Sequence, residues 1–134
     1  MVWRNILKNL KVKDKLTVEG ALTGNYENFD STGSGVATIR TGLLTLGGTG
    51  SGNIQEISLL APTAAGQRLE VIDVNTLDTV DVVLKAGTGT EFSANSSGTG
   101  SMYTFNAPAE KLVLISSSTT VWQVVDNTGS ITLS

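Results

Sequence analysis

The 134-residue chain carries no cysteine and no histidine, and its net charge is −3; disulfides, thiolate nucleophiles and imidazole metal sites are thereby excluded. Eighteen Thr, thirteen Ser and fifteen Gly against 5% aromatic residues suit short strands joined by tight turns, and a chain of this length buries roughly two-thirds of its unfolded surface as one domain. So small a charge gives no reason to expect a nucleic-acid partner, and no apolar run approaches the roughly 20 residues that span a bilayer.

Charge is divided sharply along the chain. Residues 1–20 hold five basic side chains (Arg4, Lys8, Lys11, Lys13 and Lys15) against Asp14 and Glu19, whereas the remainder holds four basic and ten acidic residues. A basic arm, 1–20, precedes an acidic body. Val2, Trp3, Ile6, Leu7 and Leu10 fall at helical spacing, which allows a short amphipathic helix. Arg4 and Lys8 interrupt the uninterrupted apolar core that a secretory leader requires. From Leu10 the period changes to two: Leu10, Val12, Leu16 and Val18 share one face with Asp14, and Lys11, Lys13 and Lys15 line the other at roughly 7 Å intervals. That strip could meet an acidic protein surface, phosphates or anionic lipid; the plainer alternative is a solvated strand face whose lysines protect an edge.

Residues 21–35, dense in Gly, Asn, Asp and Ser, are expected to be a linker loop, with Tyr26 and Phe29 either capping the core or serving as contact anchors. The body is expected over 36–134. Residues 36–46 form one strand broken at Gly42 or a hairpin about it; 47–52 (GGTGSG) is a loop; 54–61 is a strand ended by Pro62. Residues 68–74 and 79–85, separated by the polar NTLD, have the spacing of a hairpin. A flexible loop over 93–101 leads to three strands, 101–106, 112–115 and 120–125, expected to pair in sequence as a meander. Leu112 to Ile115 is an aliphatic run fit for a strand covered on both faces. About eight to ten strands with turn signals every 8–12 residues point to an all-β, antiparallel β-sandwich or jelly-roll-like body behind an extended N-terminal arm.

Motifs of chemistry are sparse. GGTGSG lacks the G-x-x-x-x-G-K-[ST] order of a phosphate loop. It lacks, too, the aspartate and the repetition of calcium-binding nonapeptides, so it is read as a turn. Asp73, Asn75, Asp78 and Asp81 gather near one turn and could hold calcium, but without the order of an EF-hand. There is no histidine base, no G-x-S-x-G elbow and no S-x-x-K lysine, and the two tryptophans can hardly supply a glycosidase groove. Asn95-Ser96-Ser97 is formally a glycosylation sequon. Neither an enzyme nor a cofactor is expected.

The stretch 59–129 carries AAGQRLEVIDVN, TVDVVLKAG and MYTFNAPAEKLVLISSSTTVWQVVDNTG. It resembles a module of tailed-bacteriophage structural proteins in which "a-a-G-x-x-l-x-v" leads to "y-x-f-n-a-p-g-e" and then to "l-x-s-x-g-x-x-W-x-v-v-x-x-x-G". The matching residues are Ala65, Gly66, Leu69 and Val71, then Tyr103, Phe105, Pro108 and Glu110, and lastly Leu112 to Leu114, Trp122, Val124 and Val125, with Ala109 where glycine is frequent. DKLTVEGALTG, before it, is similar to a phrase of phage fibres. The resemblance implies a virion protein of the capsid decoration (cement) or head-fibre type, commonly a homotrimer, made in the host cytoplasm and carried on the outer surface of the capsid. On that basis Trp3, Arg4, Lys8, Lys11, Lys13 and Lys15 are expected to bind the major capsid protein, and Val113 and Ile115 are candidates for the trimer interface. The alternative is a tail-fibre or receptor-binding module for a host-surface carbohydrate, using loops at 25–35, 47–52 and 93–101 with Tyr26, Phe29 and Phe92.

Overall fold

The computed structural model describes residues 25–30, 35–47, 55–74, 81–94 and 98–134. Twelve strands occur among them: β1 (Tyr26–Asp30), β2 (Gly35–Ala37), β3 (Gly42–Gly47), β4 (Gln55–Leu59), β5 (Arg68–Asp73), β6 (Val82–Ala86), β7 (Glu91–Ala94), β8 (Gly98–Gly100), β9 (Met102–Phe105), β10 (Lys111–Ser116), β11 (Val121–Thr128) and β12 (Thr132–Leu133). They form a seven-stranded sheet, β1-β3-β5-β10-β11-β7-β8, and a five-stranded sheet, β12-β9-β6-β4-β2. The all-β sandwich expected from strand spacing is therefore present. The possible N-terminal helix and the lysine-bearing segment lie outside the described residues.

The sheets are mixed rather than antiparallel. From β1 to β6 the chain passes from one sheet to the other at every step, so β1, β3 and β5 are parallel neighbours in the larger sheet and β2, β4 and β6 in the smaller. A parallel pair needs a crossover between its strands, and here the crossover is itself a strand of the opposite sheet. Three flattened turns of chain result. Beyond them β9 returns antiparallel to β6, the β10–β11 hairpin lies antiparallel to β5, and β12 closes on β9. β7 adds a further parallel pair with β11.

Three local expectations change accordingly. Residues 68–73 and 82–86 belong to opposite sheets, so NTLD does not close a hairpin; a turn-length gap fits a sheet-to-sheet crossing equally well. The 36–46 stretch likewise divides into β2 and β3 on opposite sheets, and β9 parts from β10 and β11, so no three-stranded meander forms. Residues 26–30 are a strand and not linker, which brings the start of the body forward to Tyr26, and 98–100 form β8 within the expected 93–101 loop.

Period-two alternation sets the core. Leu44, Leu46, Leu69, Val71, Leu112, Leu114 and Trp122 from the larger sheet meet Ile57, Leu59, Val82, Leu84, Tyr103 and Phe105 from the smaller. Phe92 of β7 and Tyr103 of β9 touch edge to face, 5.1 Å between centroids at 64°, the favourable arrangement for two ring quadrupoles. The buried Trp122 indole donates from Nε1 to the Leu60 carbonyl at 3.2 Å, so its one polar atom is satisfied. At Val113 and Leu114 the β10–β11 ladder shifts, Leu114 pairing with Val124 and Val113 with Asp126. Val125 is the extra residue of this bulge, and it is exposed.

Candidate functional site

The outer face of the larger sheet can be built from its registers. Partners across adjacent strands share a face, so Tyr26, Leu43, Glu70, Val113 and Asp126 form one row across five strands. Asn28, Thr45, Ile72, Lys111 and Thr128 form the next, and Arg68, Ile115, Gln123 and Ser93 a third. Ion pairs link neighbouring rows: Arg68 to Glu70 at 3.8 Å and Lys111 to Asp126 at 3.5 Å. Both pairs are solvent-exposed in part and each contributes about 0–1 kcal/mol. Between Glu70 and Asp126, Val113 is left only 3% exposed although it stands outside the core. Of the two residues assigned to a trimer contact, Val113 is therefore already covered within its own chain, and Ile115, half-buried, retains surface. Trp3, Arg4, Lys8, Lys11, Lys13 and Lys15 lie outside the described residues.

The aromatics of the carbohydrate alternative do not assemble. Phe92 is a core residue of β7, fully buried, because period-two alternation begins before the loop it was read into. Phe29 packs on the core, its ring so close to Gly35 that a Cβ there would collide with Cε1. Only Tyr26 stands out, 63% exposed, its hydroxyl 3.1 Å from that of Thr45. Of the four residues of the calcium alternative, two are described. Asp73 is buried at the end of β5 and Asp81 is exposed before β6, Asn75 and Asp78 lie outside the described residues, and no group of three His, Cys, Asp or Glu side chains with metal-site geometry occurs among the described ones.

The residues that carry the phage resemblance converge on structural bonds. Glu110, 3% exposed, accepts at one oxygen from the backbone N–H of Asn106 (2.8 Å) and Ala107 (3.2 Å), and at the other from the N–H and hydroxyl of Ser130, both at 2.7 Å. Burial works to raise its pKa, but the hydrogen bonds from Ser130, Asn106 and Ala107 outweigh burial and hold the carboxyl below its ordinary value. Gly129 has φ +115°, and a Cβ there would meet Glu110 Cγ at 2.6 Å; only glycine lets the turn pass this close. Ala109 has φ 64°, which accounts for glycine being frequent in its place. Ser116, buried, accepts at Oγ from Gln67 N–H (2.8 Å) and donates to the Ala64 carbonyl (2.7 Å), while Gly66 N–H donates to the Ser116 carbonyl. The phrase AAGQ and the end of β10 are thus one fastening.

A fastening that the sequence did not disclose ties the first turn. Glu27 accepts from Thr38 N–H (2.9 Å) and Ile39 N–H (2.7 Å), and Arg40 donates from Nε to the Ala61 carbonyl (2.6 Å). Glu27 sits in a stretch whose composition says loop, and nothing local marks it as the acceptor for residues eleven and twelve positions on.

One end of the sandwich is open. β1 and β2 are the outermost strands of their sheets, and Phe29 over Gly35 and Glu27 on Thr38 bring them together. Among the described residues, no strand pairs with their outer edges. Tyr26 and Val36, 63% and 51% exposed, stand there, an unpaired edge of the kind that accepts another strand. No known family model matches the chain, and no curated protein matches it.

Proposed function

We propose that the chain is a structural protein of a phage virion, a homotrimeric decoration protein that binds the outside of the head shell through the lysines of residues 1–20 and stabilises it. The observation that carries this reading is the split between a segment of clustered cations and a sandwich whose motif residues are spent on its own fastening. Glu110, Ser116, Gly129 and Trp122 each hold one part of the body to another, which suits a protein whose task is mechanical. A strip of lysines pairs with acidic residues on a shell, and three strips on one trimer bind far more tightly than one, through effective concentration. Ile115 and its row on the outer face of the larger sheet are the trimer contact in this proposal. The carbohydrate reading is weaker by Phe92, which is core.

Deleting residues 1–20 is expected to abolish co-sedimentation with undecorated heads while leaving a folded trimer by light scattering. Undiminished binding, or a strictly monomeric full-length protein, overturns the proposal.

A further inference from the structure

The strand that Glu110 anchors is the shortest among the described residues. β12 pairs with β9 only through Thr132 with Thr104 and Leu133 with Tyr103, and no described strand lies on its other side. Beyond those pairs, Ser134 N–H donates to the Met102 carbonyl at 3.0 Å, Met102 N–H donates to the Ser134 carbonyl at 3.1 Å, and Asn127 Nδ2 donates to the Ile131 carbonyl at 3.1 Å. Ile131, 6% exposed, is its one deeply buried side chain, with Leu133 packed in part against the core.

Beside these few contacts stands one carboxylate. Oε1 of Glu110 accepts both the N–H and the hydroxyl of Ser130, while Oε2 accepts only within the β9–β10 turn, from Asn106 and Ala107. That turn has further ties: Asp73 N–H donates to the Glu110 carbonyl at 2.9 Å, and Ala109 N–H donates to the Asp73 carbonyl at 3.0 Å. Loss of the charge therefore leaves the turn attached and takes from β12 its anchor. Hydrogen bonds to a charged acceptor are about twice as strong as neutral ones, and once Glu110 is protonated the Ser130 hydroxyl has Asn106 Oδ1 as its acceptor instead, also 2.7 Å away. Gly129, at φ +115°, is free to leave that conformation and swing the segment outward.

We propose that residues 130–134 are a strap keyed by the charge on Glu110, which opens while the rest of the sandwich stays folded and leaves the outer edge of β9 unpaired. The opened edge presents the N–H and C=O of Met102, groups of the kind that a further strand would use. Burial works to raise the Glu110 pKa, but the hydrogen bonds from Ser130, Asn106 and Ala107 hold it below the ordinary 4.5. The strap is accordingly closed at neutral pH and is released as pH falls through the folded value. The other ionisable groups on the neighbouring elements are Asp73 at the end of β5, Lys111 of β10, which pairs with Asp126 of β11, and Tyr103 of β9, whose pKa burial raises. The strap does not depend on the decoration reading.

The test follows the isolated full chain by NMR from pH 7 downward, reading the Glu110 carboxyl signal together with amide protection. Protection at Met102 and Ser130, corrected for intrinsic exchange rates, is expected to fall about tenfold or more with the midpoint of Glu110 itself, while β10 and β11 keep theirs. Glu110→Gln, uncharged at any pH, is expected to show the lowered protection already at pH 7 and no further step. Unchanged protection through the Glu110 midpoint overturns the proposal. So does a midpoint that follows the Asp73 carboxyl signal, or a simultaneous loss in β10 and β11, and the titration decides this without the variant.

Discussion

The first half of the body, β1 to β6, and the second, β7 to β12, are held by different means. In the first, β3 to β6 each lie beside the strand two elements earlier, so apart from the Glu27 and Arg40 bonds of the first turn the fold is a repeated passage between sheets held by backbone ladders and alternating apolar residues. In the second, single side chains decide the path: Glu110 joins the β9–β10 turn to the start of β12, Ser116 joins β10 to the AAGQ turn, and Trp122 reaches Leu60. Repetition tolerates change at any one position; fastening does not. The two halves should therefore respond differently to substitution.

The largest effect is expected at Trp122. Trp122→Ala removes a fully buried indole and its bond to Leu60 and should cost about 3–5 kcal/mol, read as a fall in the denaturant midpoint of the whole domain; a loss below 1 kcal/mol would contradict its place as the pin between the sheets. Glu110→Gln comes next. One oxygen would be replaced by a donor facing N–H groups, for a loss of about 1–3 kcal/mol. Because the folded pKa of Glu110 is depressed, its contribution is fully present above the unfolded value near 4.5 and is lost as pH falls through the folded one. Thermal melts of the parent from pH 7 downward should show this acid decline, and the Glu110→Gln melts should lack that part of it.

Glu27→Gln tests the first half. It should cost about 1 kcal/mol, and faster amide exchange should stay confined to residues 35–40 and β1 while β10 and β11 keep their protection. A global loss would mean that the coil and the fastened half unfold as one. The smallest change is a gain: Ala109→Gly relieves a left-handed alanine, worth roughly 1–2 kcal/mol, less the greater freedom of glycine in the unfolded chain. A rise of about 0.5 kcal/mol is expected from the denaturant midpoint, and a fall would remove the backbone explanation for glycine at that position of the phrase.

The strands were legible in the sequence because burial on one face writes a period of two, as in Arg68–Asp73 and Met102–Phe105. Their partners were not. Alternation says which side chains point inward but not which sheet receives them, so NTLD passed for a hairpin turn although β5 and β6 face each other across the core. Tyr103, Pro108, Glu110 and Trp122 were visible as a phrase, yet the use of Glu110 and Trp122 as fastenings depends on groups brought from elsewhere, Ser130 and the Leu60 carbonyl. Val113 illustrates the same limit, since the aliphatic run predicted cover on both faces but could not say that Glu70 and Asp126 of its own sheet flank it.

The two-sheet winding also bears on how the molecule comes to be folded. The β10–β11 hairpin brings together residues only a few positions apart, whereas the ladder from β3 to β5 must first close a loop of twenty-seven residues. Chain closure of that kind precedes any compensating contact and slows folding. The hairpin is thus the expected nucleus, onto which β5 docks first and the earlier turns follow in reverse chain order, so that β1 and β2 are expected to join the folded body last.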